Sequence, residues 1–282
     1  MGYKELPKIS NKQKKIMELV AKFRFINRQQ IQKFLGHKGA HRINVWLKDL
    51  VDKKYLGRIY SRKLLENTKP SIYFLHNNGI LWTKLVIEER VGDYSLADKM
   101  VKKMYADKNA SQLFIDHSIA VCELYMQFKE LEGTKWDFEC FTKADMHSWF
   151  SGDDDFDLQK KYYADIYVDK MSIKMDESAA FFVDLFPAHI PRYALEYRVR
   201  QYIELYSEVD NEAYRGHDGL FPNILFIITK QGQINRLAGY IRDVLDYTYD
   251  NEEIVFALTT HKKAFERGVG DNTIWKVVKA EM

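Results

Sequence analysis

The sequence predicts a two-domain α+β protein: a small, helix-rich and strongly basic amino-terminal domain, followed by a larger α/β domain built on a mixed sheet. Three observations carry this reading. The 43 Lys plus Arg and 40 Asp plus Glu are unevenly spread, with 20 basic and 7 acidic residues before residue 91, so a segment of net +13 precedes a remainder of net −10. Apolar residues recur every three or four positions through residues 10–51, the period of helices that bury one face. From Trp136 onward, short apolar runs alternate with longer amphipathic ones, as strands joined by helices do.

A chain of 282 residues with 46% apolar side chains suits two modest domains. Five Pro and fourteen Gly exclude a collagen-like or linker-rich protein. No run of eighteen apolar residues exists, and Met1 to Glu5 lack the apolar core of a signal peptide, so a cytoplasmic protein with no membrane partner is expected. Cys122 and Cys140 are too few for a disulfide framework or a four-thiolate zinc site, and are expected to be reduced and structural.

In chain order, Ser10 or Asn11 caps a first helix whose Ile16, Leu19, Val20 and Phe23 form one stripe. Asn27 caps a short second helix with Ile31, Phe34 and Leu35, and Gly36 stops it. After a polar turn, Ile43, Trp46, Leu47, Leu50 and Val51 define a third helix, with His41, Arg42, Asn44 and Lys48 on its other face. Gly57 closes that region. Arg58 to Tyr60 and Ser71 to Leu75 then read as the two strands of a hairpin. Three helices and a hairpin make a winged helix-turn-helix over residues 1–90.

A basic segment in an otherwise acidic chain is the electrostatic footprint of a polyanion binder, because each neutralised phosphate releases condensed counterions. The third helix suits a major groove, where Arg42 would reach a guanine edge and Asn44 an adenine edge, with Lys38, His41 and Lys48 beside them. Arg58, Arg62, Lys63 and Lys69 of the hairpin would meet phosphates. For each of these side chains a solvated surface position is the competing explanation. Residues 91–110, with Lys99, Lys102, Lys103 and Lys108, are expected to connect the domains or to pair two copies as a homodimer.

The second domain, residues 111–282, opens with a long helix from 111 to 131, marked by Leu113, Ile115, Ile119, Val121, Leu124 and Phe128 and closed by Gly133. His117 on it has no spaced partner and reads as a packing residue. Strands are expected from Trp136 to Cys140, Tyr162 to Val168, Ala179 to Phe186, Ile224 to Thr229 and Ile254 to Thr259. Helices are expected at about 192–207 and 233–246. Asp153, Asp154, Asp155 and Asp157 form an acidic loop without the Gly and distal Glu of an EF-hand.

That order, a helix, three strands, a helix and a further strand, matches a PD-(D/E)XK nuclease-like core. Its chemistry would fall on Asp165 at the start of one strand and Asp184 at the end of the next, with Glu123 on the preceding helix as a third acid. Together they would hold Mg²⁺ and activate water against a phosphodiester. Phe186 stands where such a site needs its Lys, leaving Arg198 or Arg200 to replace it. A nuclease-like scaffold that binds no cofactor and does not cleave is therefore the leading reading.

The whole pattern resembles the replication-relaxation family of plasmids and integrative elements. The resemblance is carried by Arg28-Gln-Gln-Ile-Gln-Lys-Phe-Leu-Gly36, by Arg42 to Leu50 ahead of Tyr55-Leu56-Gly57, and by Tyr73-Phe-Leu with Gly79. It continues in His117 with Val121, Ala164-Asp165, and Phe181-Phe-Val-Asp184 before a helix rich in Tyr and Arg. It implies an N-terminal winged helix before a PD-(D/E)XK-like domain, and a role in replication, relaxation or mobilisation. Ala164 replaces the family's Pro, and Leu185-Phe186 follow Asp184 where an acidic pair is common.

Three functions follow as expectations. The first is a double-stranded-DNA-binding accessory protein working with other replication or transfer proteins. The second is an Mg²⁺-dependent endonuclease, and the third a transcriptional regulator. No Gly-rich phosphate loop, zinc motif or GxSxG points to nucleotide or ester chemistry.

Overall fold

The computed structural model describes residues 5–60, 69–92, 94–133, 135–145, 164–173, 177–208, 220–247 and 254–280. The chain forms two compact units, Met1–Cys122 and Glu123–Met282. The first is mostly helical and the second carries a mixed six-stranded sheet. Arg62, Lys63 and the acidic loop at 153–157 lie outside the described residues.

The first unit begins with α1 (Asn11–Phe23), whose N-cap Ser10 makes a reciprocal capping box with Gln13. Ile16, Met17, Val20 and Phe23 are buried, as their spacing requires. The two-residue β1 (Ile26–Asn27), which the sequence pattern does not announce, leads into α2 (Arg28–Phe34), capped by Asn27 with Gln30 in a second box. Gly36 takes a positive φ of 63°, the left-handed stop that glycine adopts without strain.

The third helix, α3 (Ala40–Asp52), buries Ile43, Leu47 and Leu50, each worth roughly 1.5–3 kcal/mol on full burial. Trp46 is only half-buried and stands edge-on to His37, ring centroids 5.2 Å apart. Two further strands, β2 (Leu56–Ile59) and β3 (Ile72–Leu75), complete an antiparallel sheet in the order β1-β3-β2. Strand β2 thus starts two residues before the expected Arg58 and ends before Tyr60, since Leu56 pairs with Leu75 and Gly57 with Phe74.

Two glycines are demanded by close approach. A Cβ on Gly57 would meet the Phe74 ring at 2.2 Å, and one on Gly79 would lie 2.1 Å from the Tyr55 carbonyl oxygen. Gly79 belongs to α4 (Asn77–Val91), which is followed by α5 (Tyr94–Lys102) and a 3₁₀ helix (Lys103–Asn109). The segment 91–110 therefore holds regular helix within the first unit.

At the end of α1, Arg24 has φ 67° and ψ −49°, and Phe25 N–H donates to the Phe23 carbonyl at 2.8 Å. This is a γ-turn of the strained hand. The Arg24 guanidinium holds it in place by gripping Asp107, which is 3% exposed, with Nε 2.7 Å from Oδ2 and Nη2 on Oδ1. Burial pushes the Asp107 carboxyl up, and Arg24 opposes that push.

A long helix, α6 (Gln112–Glu130), runs from the first unit into the second. The second unit then adds β4 (Trp136–Thr142), β5 (Ile166–Ser172), β6 (Ser178–Leu185), α7 (Arg192–Glu208), β7 (Asn223–Ile228), α8 (Gln231–Tyr247) and β8 (Phe256–Thr260). A short α9 (His261–Arg267) and a closing strand β9 (Lys276–Val278) follow, neither of them expected from sequence. Sheet order is β4-β5-β6-β7-β8-β9, antiparallel through β4, β5 and β6, parallel from β6 to β8, and antiparallel at β9. Strands β7 and β8 are buried almost throughout because helices cover a parallel sheet on its faces. Phe226 and Phe256 sit in the core with Tyr202, Ile241 and Leu245.

Candidate functional site

In the first unit, burial of Ile43, Leu47 and Leu50 turns the opposite face of α3 outward, so His41, Arg42, Asn44 and Lys48 are all exposed. Lys38 in the preceding turn, Arg58 on β2 and Lys69 ahead of β3 are exposed as well. The Arg58 Nε donates to Ser71 Oγ at 3.0 Å, and its guanidinium lies 4.8 Å from the Tyr60 ring centre, which holds the side chain out along the strand. No Asp or Glu occurs between Glu18 and Asp49. Asp49 itself is engaged, accepting from Gln13 Nε2 at 2.6 Å and from Lys53 Nζ at 2.8 Å. The first two turns of the α3 face are therefore free of acidic side chains, and Asp52 is exposed only at its C-terminal end.

A concave surface of about 420 Å³ lies beside it, lined by Arg28, Gln29, Gln32, Lys33, Gly36, His37 and Lys38. Of these only Lys38 stands out in the sequence as a binding residue. The others belong to α2 and its stop, whose regular helical pattern gives no cue that the polar side faces a hollow.

In the second unit, β5 and β6 pair so that Ile166 lies opposite Val183, which brings Asp165 and Asp184 together one position further along. Both are buried, at 6% and 4% exposure. Each of their four carboxylate oxygens accepts a hydrogen bond. Asp165 Oδ1 takes Lys143 Nζ at 2.7 Å, and its Oδ2 takes the Leu185 N–H at 2.9 Å. Asp184 Oδ1 takes the Asp165 N–H at 3.3 Å and Arg198 Nη2 at 3.2 Å, while its Oδ2 takes Arg198 Nε at 2.6 Å and the Tyr202 hydroxyl at 2.9 Å.

Electrostatics follow from this geometry. Burial works against the Lys143 ammonium, yet Asp165 and Asp184 outweigh it and hold its pKa above the ordinary lysine value. Arg198 is likewise raised, with Asp184 overcoming its burial. Burial drives the Tyr202 phenol well above its usual range, so it stays protonated and donates to Asp184. Two carboxylates and two cations make a neutral cluster.

Such a cluster does not fit a divalent metal, which needs carboxylate oxygens open towards the ion. Glu123 on α6 does not join the pair: among the described residues no group of three His, Cys, Asp or Glu could hold a metal ion. Of the two arginines considered, Arg198 bonds Asp184, whereas Arg200 is exposed. Phe186 packs edge-on against Phe226 at 4.9 Å. Sequence reasoning missed Lys143 altogether. It directly follows β4, and only the register of that strand, with Thr142 opposite Ile166, shows that it faces Asp165.

Residues 17–224 match the model of the replication-relaxation family. The chain belongs to the replication-relaxation family. Membership points to a role in the replication or relaxation of a plasmid or mobile element. No curated protein and no solved structure matches this family member. No helix among its described residues is long and apolar enough to cross a membrane.

Proposed function

We propose that this family member is a double-stranded-DNA-binding accessory protein of a plasmid or mobile element, which grips duplex through a winged helix in its first unit. The order α1-β1-α2-α3-β2-β3 with a β1-β3-β2 sheet supports the winged-helix reading. The single observation that carries the function is the exposed face of α3 that presents His41, Arg42, Asn44 and Lys48 together. Arg58, Lys69, Arg62 and Lys63 of the hairpin, and Lys38, would contact phosphates, and duplex DNA is the partner. A homodimer spanning two half-sites, and contacts with other replication or transfer proteins, belong to the same reading.

Fluorescence anisotropy with a labelled duplex tests it. Binding at low salt should fall steeply as salt rises, and Arg42→Ala with Lys48→Ala should weaken it by about tenfold or more, since each lost base contact costs roughly 1–3 kcal/mol. Binding that ignores both substitutions would refute the reading.

In the second unit, the antiparallel run β4-β5-β6, the helix α7 and the parallel strand β7 support a nuclease-like scaffold. The ion-paired Asp165 and Asp184 support its being non-catalytic, with no cofactor. One observation favours the endonuclease alternative: the two carboxylates do stand side by side, with an ammonium 2.7 Å from one of them. Plasmid incubated with Mg²⁺ or Mn²⁺ decides between the two. Nicking that Asp184→Asn abolishes would establish the enzyme, whereas intact plasmid at high protein concentration removes it.

A further inference from the structure

We infer that the hollow on α2 and the turn after it is a phosphate-binding cleft, which takes a DNA backbone phosphate outside the groove that α3 reads. The inference rests on the duplex-binding reading above and names a contact site on a different helix.

The lining is cationic and polar, with Arg28, Lys33, Lys38, Gln29, Gln32 and His37, and contains no carboxylate. One side chain organises it. Gln32 Oε1 accepts from Arg28 Nη1 at 2.8 Å, while Gln32 Nε2 donates to the His37 carbonyl at 3.0 Å and the Lys38 carbonyl at 3.3 Å. The guanidinium and the turn are thereby held before any ligand arrives, which lowers the ordering cost of binding. With only one of its nitrogens engaged by Gln32, the Arg28 guanidinium keeps donors for the hollow, in the fork geometry that suits a phosphate.

His37 adds an independent sign. Its ring packs on Trp46, and its Nε2 is buried with no hydrogen-bond partner among the described residues. A buried imidazole nitrogen left unsatisfied is costly, and a small turn of the ring toward the hollow it lines would give that nitrogen a phosphate oxygen as partner. The start of α2 also lies beside the hairpin. Arg28 N–H donates to the Ser71 carbonyl at 3.1 Å, and Arg58 Nε donates to the Ser71 hydroxyl.

The test uses the full chain and the double variant Arg28→Gln/Lys33→Gln, with Lys12→Gln/Lys15→Gln on exposed α1 positions as a charge-matched control. On duplex DNA, the plot of log binding constant against log salt should become less steep by about 1 in the cleft variant, equally for two unrelated sequences, and should not change in the control. Separately, inorganic phosphate at ionic strength matched with chloride should raise the unfolding midpoint of the wild type and not of the cleft variant. An unchanged slope with an unchanged phosphate response, or an equal loss in the control, would overturn the cleft while leaving the α3 reading intact. If the wild type binds no duplex, the α3 reading fails. A phosphate response lost in the variant would then support the cleft as a site for a free phosphate-bearing ligand, and no response would overturn it too.

Discussion

Arg198 holds Asp184 with two nitrogens, Nε 2.6 Å from Oδ2 and Nη2 3.2 Å from Oδ1, and both side chains are largely buried. This fork ties α7 to the end of β6. It closes Asp184 into a buried ion pair.

Removing one half of such a pair strands the other. Arg198→Met is expected to destabilise the second unit by about 3–5 kcal/mol, because Asp184 would stay buried without the cation that pairs with it. Urea denaturation of the full chain measures this. The double variant Arg198→Met/Asp184→Leu should recover a large part of the loss, and a double variant no more stable than the single would refute the pairing argument.

Lys143 controls the alkaline side. Its pKa is raised in the fold above the 10.5 of a free lysine, so its contribution is fully present below that value and is lost as pH rises through the higher folded value. The stability difference between wild type and Lys143→Gln should therefore be constant from pH 7 to 9 and shrink above about pH 10.5. A difference that grows with pH would contradict the geometry.

Asp49 acts in the opposite direction. The Lys53 hydrogen bond, with that of Gln13, holds its carboxyl below the ordinary 3.8 against some burial. Its contribution is present above pH 3.8 and is lost as pH falls through the lower folded value. Because the side chain is about two-fifths exposed, Asp49→Asn should cost no more than about 1 kcal/mol at pH 7, read from thermal unfolding. The cost should vanish near pH 2.

Gly79 tolerates no side chain. A methyl group there would overlap the Tyr55 carbonyl and the Met17 methyl, so α4 would have to shift away from the first unit's core. Gly79→Ala is expected to lose about 1–3 kcal/mol, seen as a lower unfolding midpoint by circular dichroism. Gly133→Ala, with open space around its Cβ position, serves as the control and should leave the midpoint within about 1 °C of the wild type.

Elements with strong local signals are legible in the order of the residues alone. The two capping boxes at Ser10 and Asn27, the stop at Gly36, and the period-three-and-four stripe of α3 are all encoded within a few residues. The strands β6, β7 and β8 are equally clear, since apolar runs bounded by polar turns fit little else. What escapes is short or non-local. Strand β1 has two residues, and β9 has three, too few for a periodicity to appear.

From its own sequence this protein determined where α1 and α2 begin and α2 stops, how its basic charge concentrates before residue 91, and which acids, Asp165 and Asp184, belong together. Only the tertiary structure decided what those acids touch and that α2 borders a hollow. The reason is physical. Capping and amphipathic burial act over one or two turns, whereas the partners of Asp165 and Asp184 come from Lys143 and Arg198, on a different strand end and a crossover helix, and are set by sheet register and packing.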